Sequence, residues 1–155
     1  QDSYLSRGKL GPKYEIVRGN NSCQGFRGLV TPMVGGEILV AEGKTDDGIA
    51  KLRAAVAAED ALKYDEPPGW LIPVRHSLGA VLMKHQRFAE AEQVYREDLA
   101  LLPENGWSLL GLAESLRKQK KNADEVAQTQ AKFEKVWAKA DLTITTSCLC
   151  QLQGE

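Results

Sequence analysis

The chain has 155 residues, 43% hydrophobic and 26% charged, which suits one packed domain or a single array of repeats. Its net charge of −1 supplies no basic field for phosphate backbones, which argues against nucleic acid as a partner. No apolar run reaches the roughly 20 residues that span a bilayer, so no membrane partner is expected.

In chain order, Gln1 to Leu29 is punctuated by Gly8, Gly11, Pro12, Gly19, Gly25 and Gly28. Residues 1–29 are therefore expected to form an irregular arm, with one short strand at Tyr14 to Val17. The chain opens on Gln1 with neither Met nor a signal sequence, so a processed product or fragment is expected, in the cytoplasm. Three cysteines, Cys23, Cys148 and Cys150, form no framework spacing and favour a reduced setting.

Residues 30–62 read as a first helical hairpin. Gly43 stops its leading helix, and Thr45 with Asp47 offers oxygens to cap the next. The paired prolines of Tyr64 to Trp70 then force a loop. Residues 72–103 form the clearest hairpin. Leu78, Leu82, Phe88, Ala91, Val94, Tyr95 and Leu99 recur in steps of three and four, a polar break falls at His85 to Arg87, and Pro103 closes the second helix. Residues 106–142 repeat the pattern: Ala113 follows Gly79 by 34 residues, Leu112 matches Leu78, and Leu116 matches Leu82. Beyond Lys121 the match needs one or two extra residues. The β-branched run from Thr143 begins a non-helical tail, residues 143–155.

Gly79, Phe88, Ala91, Tyr95 and Pro103 in that order resemble the tetratricopeptide repeat, a 34-residue helical hairpin with small residues where its helices cross. The stretches ALKYDEPPGW, PVRHSLGAVL, AEAEQVYREDL and PENGWSLLGLAESL, with the Cys-containing tail, further resemble the C-terminal part of larger bacterial tetratricopeptide-repeat proteins without assigned activity. This likeness covers Pro32 to Cys150. It implies an all-α fold, a right-handed superhelix of about three hairpins whose leading helices line a concave groove, and a protein-interaction module rather than an enzyme. The repeat frame would put Met33, Glu37 and Val40 of the first hairpin on that groove, His76, Ala80, Met83 and Lys84 of the second, and Trp107, Leu110, Glu114, Arg117 and Lys118 of the third. Such a lining suits a peptide with hydrophobic anchors and an acidic end. Family members that grip a C-terminal carboxylate use paired Asn and Lys, and the matching Asn residues are absent here.

Other chemistry is sparser. His76 with Cys148 and Cys150 could hold a soft metal or a small molecule, but two sulfurs leave a tetrahedral site half-filled, and His85 stands nine residues from His76 without forming a motif. No metal or other cofactor is expected. Asp65 and Glu66 read as a loop cap or a partner for Arg75 rather than an acid–base pair. Trp70 and Trp107 read as fillers between repeats, and Arg117 to Lys121 as a complement to a helix dipole. No nucleotide, zinc-protease or hydrolase signature occurs. A third reading is a structural subunit, a homo-oligomer or a chain whose groove is filled by its own arm.

Overall fold

The computed structural model describes residues 17–148. A two-stranded antiparallel ribbon, β1 (Val17–Arg18) and β2 (Asn21–Ser22), leads into six helices: α1 (Cys23–Ala41), α2 (Thr45–Asp60), α3 (Val74–Lys84), α4 (Phe88–Leu101), α5 (Gly106–Lys118) and α6 (Ala123–Trp137). Apart from the ribbon, the described fold is all-α, and each helix packs on the next in the chain.

The helices pair across three turns of the same construction. Each turn centres on a left-handed residue, Gly43 (φ 81°), Gln86 (φ 60°) or Lys120 (φ 55°). In each, the N–H of the following residue reaches back five positions: Lys44 to the Leu39 carbonyl at 2.8 Å, Arg87 to Leu82 at 2.9 Å, and Lys121 to Leu116 at 3.1 Å. This arrangement satisfies the carbonyls left open where a helix stops. α6 starts three residues after its turn centre, whereas α2 and α4 start two after theirs. That single extra residue is why the 34-residue register loosens beyond Lys121.

Two expectations about the first hairpin need correction. Of the irregular arm expected over residues 1–29, residues 1–16 lie outside the described residues, residues 17–22 form the ribbon, and Cys23 to Leu29 belong to α1, which runs on through Pro32. The Ser22 hydroxyl accepts the Gly25 N–H at 3.0 Å, a helix-starting cap hidden by the surrounding glycines. Thr45 and Asp47 do not cap α2: the cap position is Lys44, with no side-chain hydrogen bond, and Asp46 and Asp47 lie in the first turn, where the dipole favours their charge. Of the expected strand Tyr14 to Val17, Val17 lies in β1, and Tyr14 to Ile16 fall outside the described residues.

The loop between α2 and α3 folds back on the chain. Asn21 exchanges two hydrogen bonds with the Lys63 backbone at 2.7 and 2.8 Å, and Gly69 lies against the Phe26 ring, which a Cβ would meet at 2.5 Å. Trp70 fills the gap between hairpins one and two, beside Leu29, Ala55 and Val74. The main core joins Ile49 and Leu52 of α2 to Leu78, Val81 and Leu82 of α3, Ala91, Val94 and Tyr95 of α4, and Leu112 and Leu116 of α5.

Within the hairpins, small residues set the spacing. A Cβ on Gly36 would meet the Gly48 carbonyl at 2.9 Å, and one on Gly48 would meet the Gly36 carbonyl at 2.8 Å, so α1 and α2 touch backbone to backbone. Gly79 and Ala91 stand at the corresponding places of the second hairpin, each 43 residues on. Bridges between hairpins recur as well. Arg53 of α2 pairs with Glu90 of α4 at 2.7 Å, and Arg96 of α4 pairs with Glu125 of α6 at 2.6 Å.

Candidate functional site

α3 and α5 carry most of the residues expected to line a groove, and both are covered far beyond what one packed face requires. Every residue from Val74 to Leu82 is buried; from Gly106 to Leu116 all are buried except Trp107 and Glu114, which are half-buried. An amphipathic surface helix shows a solvent stripe. These two are enclosed.

The ring of Tyr95, fully buried on α4, lies between them. A Cβ placed on Gly79 of α3 would come within 2.3 Å of this ring, and one on Gly111 of α5 within 2.4 Å. Both contacts need glycine, and the ring fills the crevice they leave. Its hydroxyl emerges to meet Ser147 Oγ at 2.6 Å. Burial holds the Tyr95 phenol well above its usual pKa, so the hydroxyl stays neutral and can act as donor or acceptor.

Ser147 belongs to the C-terminal tail, which turns back after α6. Trp137 Nε1–H donates to the Leu142 carbonyl at 2.6 Å and fastens the start of the turn. Trp137 itself packs on Gly106 and edge-on against Trp107, with ring centroids 5.7 Å apart. Beyond it, Ile144, Ser147 and Cys148 are exposed by only 6%, 3% and 3%. Cys148 Sγ lies 3.5 Å from the Ser77 hydroxyl of α3.

Beside this seat lies a buried polar cluster. Asp98 of α4, 1% exposed, accepts hydrogen bonds from the Ser108 hydroxyl at 2.6 Å and from Asn105 Nδ2 at 2.8 Å. Asn105 Oδ1 accepts the Trp107 N–H at 3.1 Å and caps α5. The same Nδ2 is 2.6 Å from His76 Nε2, so Nε2 accepts and the imidazole proton sits on Nδ1. Ser, His and Asp thus meet in one place, but the serine hydroxyl donates its hydrogen bond directly to the carboxylate and the histidine stands to one side. A nucleophile requires the base in the middle, so this arrangement has no relay. It cross-links α3, α4 and α5.

The expected groove residues separate into three groups. His76 and Leu110 are buried, at 5% and 8% exposure, and present nothing to a partner. Met83, with Met33 and Val40 of α1, packs onto the main core, while Glu37, Trp107 and Glu114 are half-buried. Lys84, Arg117 and Lys118, at the C-terminal ends of α3 and α5, are exposed, and Arg117 is paired with Glu114. Apolar positions at the correct period were therefore indistinguishable from groove positions in the sequence, because both faces of these helices are covered.

The remaining candidates resolve simply. Arg75 is held by both oxygens of Asp60, each at 2.7 Å, rather than by the loop acids. Asp65 accepts the Asn20 N–H at 3.2 Å, and Glu66 accepts the Tyr64 hydroxyl proton. Cys23 is a free, exposed thiol, and Cys148 is disulfide-bonded, so its sulfur is not a thiolate ligand; Cys150 lies outside the described residues. Among the described residues, no group of three or more His, Cys, Asp or Glu is placed to hold a metal, and no helix is long and apolar enough to cross a membrane.

Comparison with known proteins gave no match: no family profile, no curated protein and no solved structure is significantly similar to this chain.

Proposed function

We propose that the chain is a tetratricopeptide-like scaffold, a right-handed superhelix of three hairpins that holds a protein or peptide partner along its leading helices and performs no chemistry of its own. The observation that supports this most is the recurring turn. Gln86 and Lys120 share a left-handed conformation that neither residue type favours, at a separation of 34 residues, and Gly43 shares it in the first hairpin. The central serine and aspartate are bonded to each other and the histidine to Asn105, which supports a scaffold over an enzyme.

The partner-facing rim of this scaffold is Lys84, Arg117 and Lys118, flanked by the half-buried Met83 and Glu114, with the half-buried Glu37 and Trp107 farther along the leading helices. Three exposed cations on neighbouring helix ends suit an acidic partner segment. The test is affinity capture from the source cells with the wild-type chain and with Lys84→Glu/Arg117→Glu/Lys118→Glu. Partner recovery is expected to fall at least tenfold for the variant with far-UV circular dichroism unchanged. Equal recovery removes the reading.

A further inference from the structure

We propose that residues 143–148 are a built-in occupant of the α3–α5 face, so that the surface they cover is a binding site for a non-helical, uncharged segment with an aliphatic residue followed three positions later by serine. The inference rests on the reading of α3 and α5 as partner-binding helices and names the ligand class of that surface.

Three features carry it. First, the tail is seated through side chains of the central hairpin that are distant in sequence: Ser147 reaches Tyr95, 52 residues away, and Cys148 reaches Ser77, 71 residues away. Second, it is seated through some of its side chains and not others, along a stretch that bends at Thr145 to Ser147. Ile144, Ser147 and Cys148 are buried, whereas Thr143 and Thr145 face solvent and Thr146 is half-buried, and none of the six residues is helical or charged. Third, the receiving surface belongs to the hairpins. Gly79 and Gly111 leave the opening through which the Tyr95 hydroxyl projects, and that hydroxyl together with the Ser77 hydroxyl forms a polar pair matched by Ser147 and Cys148. A free segment with the same pattern would compete for this place. A carboxylate at the position of Ser147 would bring a charge against a buried, neutral phenol and lose.

The site is tested on the full chain, with a fluorescein-labelled peptide of residues 139–148 carrying Cys148→Ser as probe and fluorescence anisotropy as readout. The wild-type chain, already occupied, is expected to bind it weakly. The Ile144→Asp/Ser147→Asp chain, with its own tail dislodged, is expected to bind at least tenfold more tightly, and a probe that itself carries Ile144→Asp is expected not to bind. A substituted chain that keeps its helical circular dichroism yet binds no more tightly than wild type overturns the proposal. Loss of helicity in that chain also overturns it, since the tail would then be core rather than ligand. Peptide binding with unaffected capture in the charge-reversal experiment keeps this site and removes the rim, whereas the opposite pair of results does the reverse.

Discussion

Gly111 and Gly79 show how much rests on a missing methyl group. Alanine in place of a helical glycine normally adds about 1 kcal/mol of stability. At Gly111, however, the new carbon would stand 2.4 Å from a fully buried ring whose hydroxyl is tied to Ser147, so the ring cannot retreat. Overpacking of this kind costs roughly 1–3 kcal/mol or more and outweighs the helix gain. Gly111→Ala is therefore expected to lower the unfolding free energy by about 1–2 kcal/mol in urea titrations, while Gly28→Ala, where nothing lies within 4 Å, does not. An equal gain at both sites would contradict the clamp. Gly79 and Tyr95 were legible as a small and an aromatic position of the central hairpin, although not as a touching pair. Gly111 was not, because it precedes the matching position Ala113 by two residues and acts on the ring of the previous hairpin. The buried Asp98 was equally hidden, since its acceptors are satisfied by donors drawn from the start of α5.

At the scale of the element, the turns carry the clearest cost. A left-handed backbone at a non-glycine residue is disfavoured by roughly 1 kcal/mol, and Gln86 and Lys120 both adopt it where the first hairpin has Gly43. Gln86→Gly and Lys120→Gly should each raise stability by about 0.5–1 kcal/mol, read as a shift of the urea midpoint at constant slope, and Gly43→Ala should lower it. Destabilisation by both glycine substitutions would remove the shared turn. The break at His85 to Arg87 was readable because a polar interruption separates two apolar stripes. The start of α1 was not, because Gly25, Gly28 and Pro32 each resemble a stop, while the cap that starts the helix is a single serine hydroxyl.

For the molecule as a whole, the joint between the first and second hairpins sets a pH response. The Glu59 carboxylate, at the end of α2, accepts the Val74 N–H that opens α3 at 3.0 Å. Burial raises its pKa above the ordinary carboxylate value to about 7, against the opposing pull of that backbone hydrogen bond and of Arg75. The folded protein holds this proton more tightly than the unfolded chain does. The resulting stabilisation is complete below about pH 4.5 and is lost as pH rises to about 7, by up to about 3 kcal/mol. Glu59→Gln, which keeps an acceptor without a charge, should flatten this part of the curve and leave the variant more stable than wild type at pH 8. A wild-type urea midpoint unchanged between pH 5 and pH 8 would refute it. No periodicity could have announced this joint or the seating of the tail, because both depend on side chains brought together only after the hairpins have stacked.

The position of Tyr95 has a mechanical consequence. One aromatic thickness fixes the gap between α3 and α5, and the same residue grips the C-terminal segment by its outer edge. A pull that spread those helices apart would slacken the wedge and the grip in a single motion, so tension across the stacked helices would be felt first as departure of residues 143–148 from their seat.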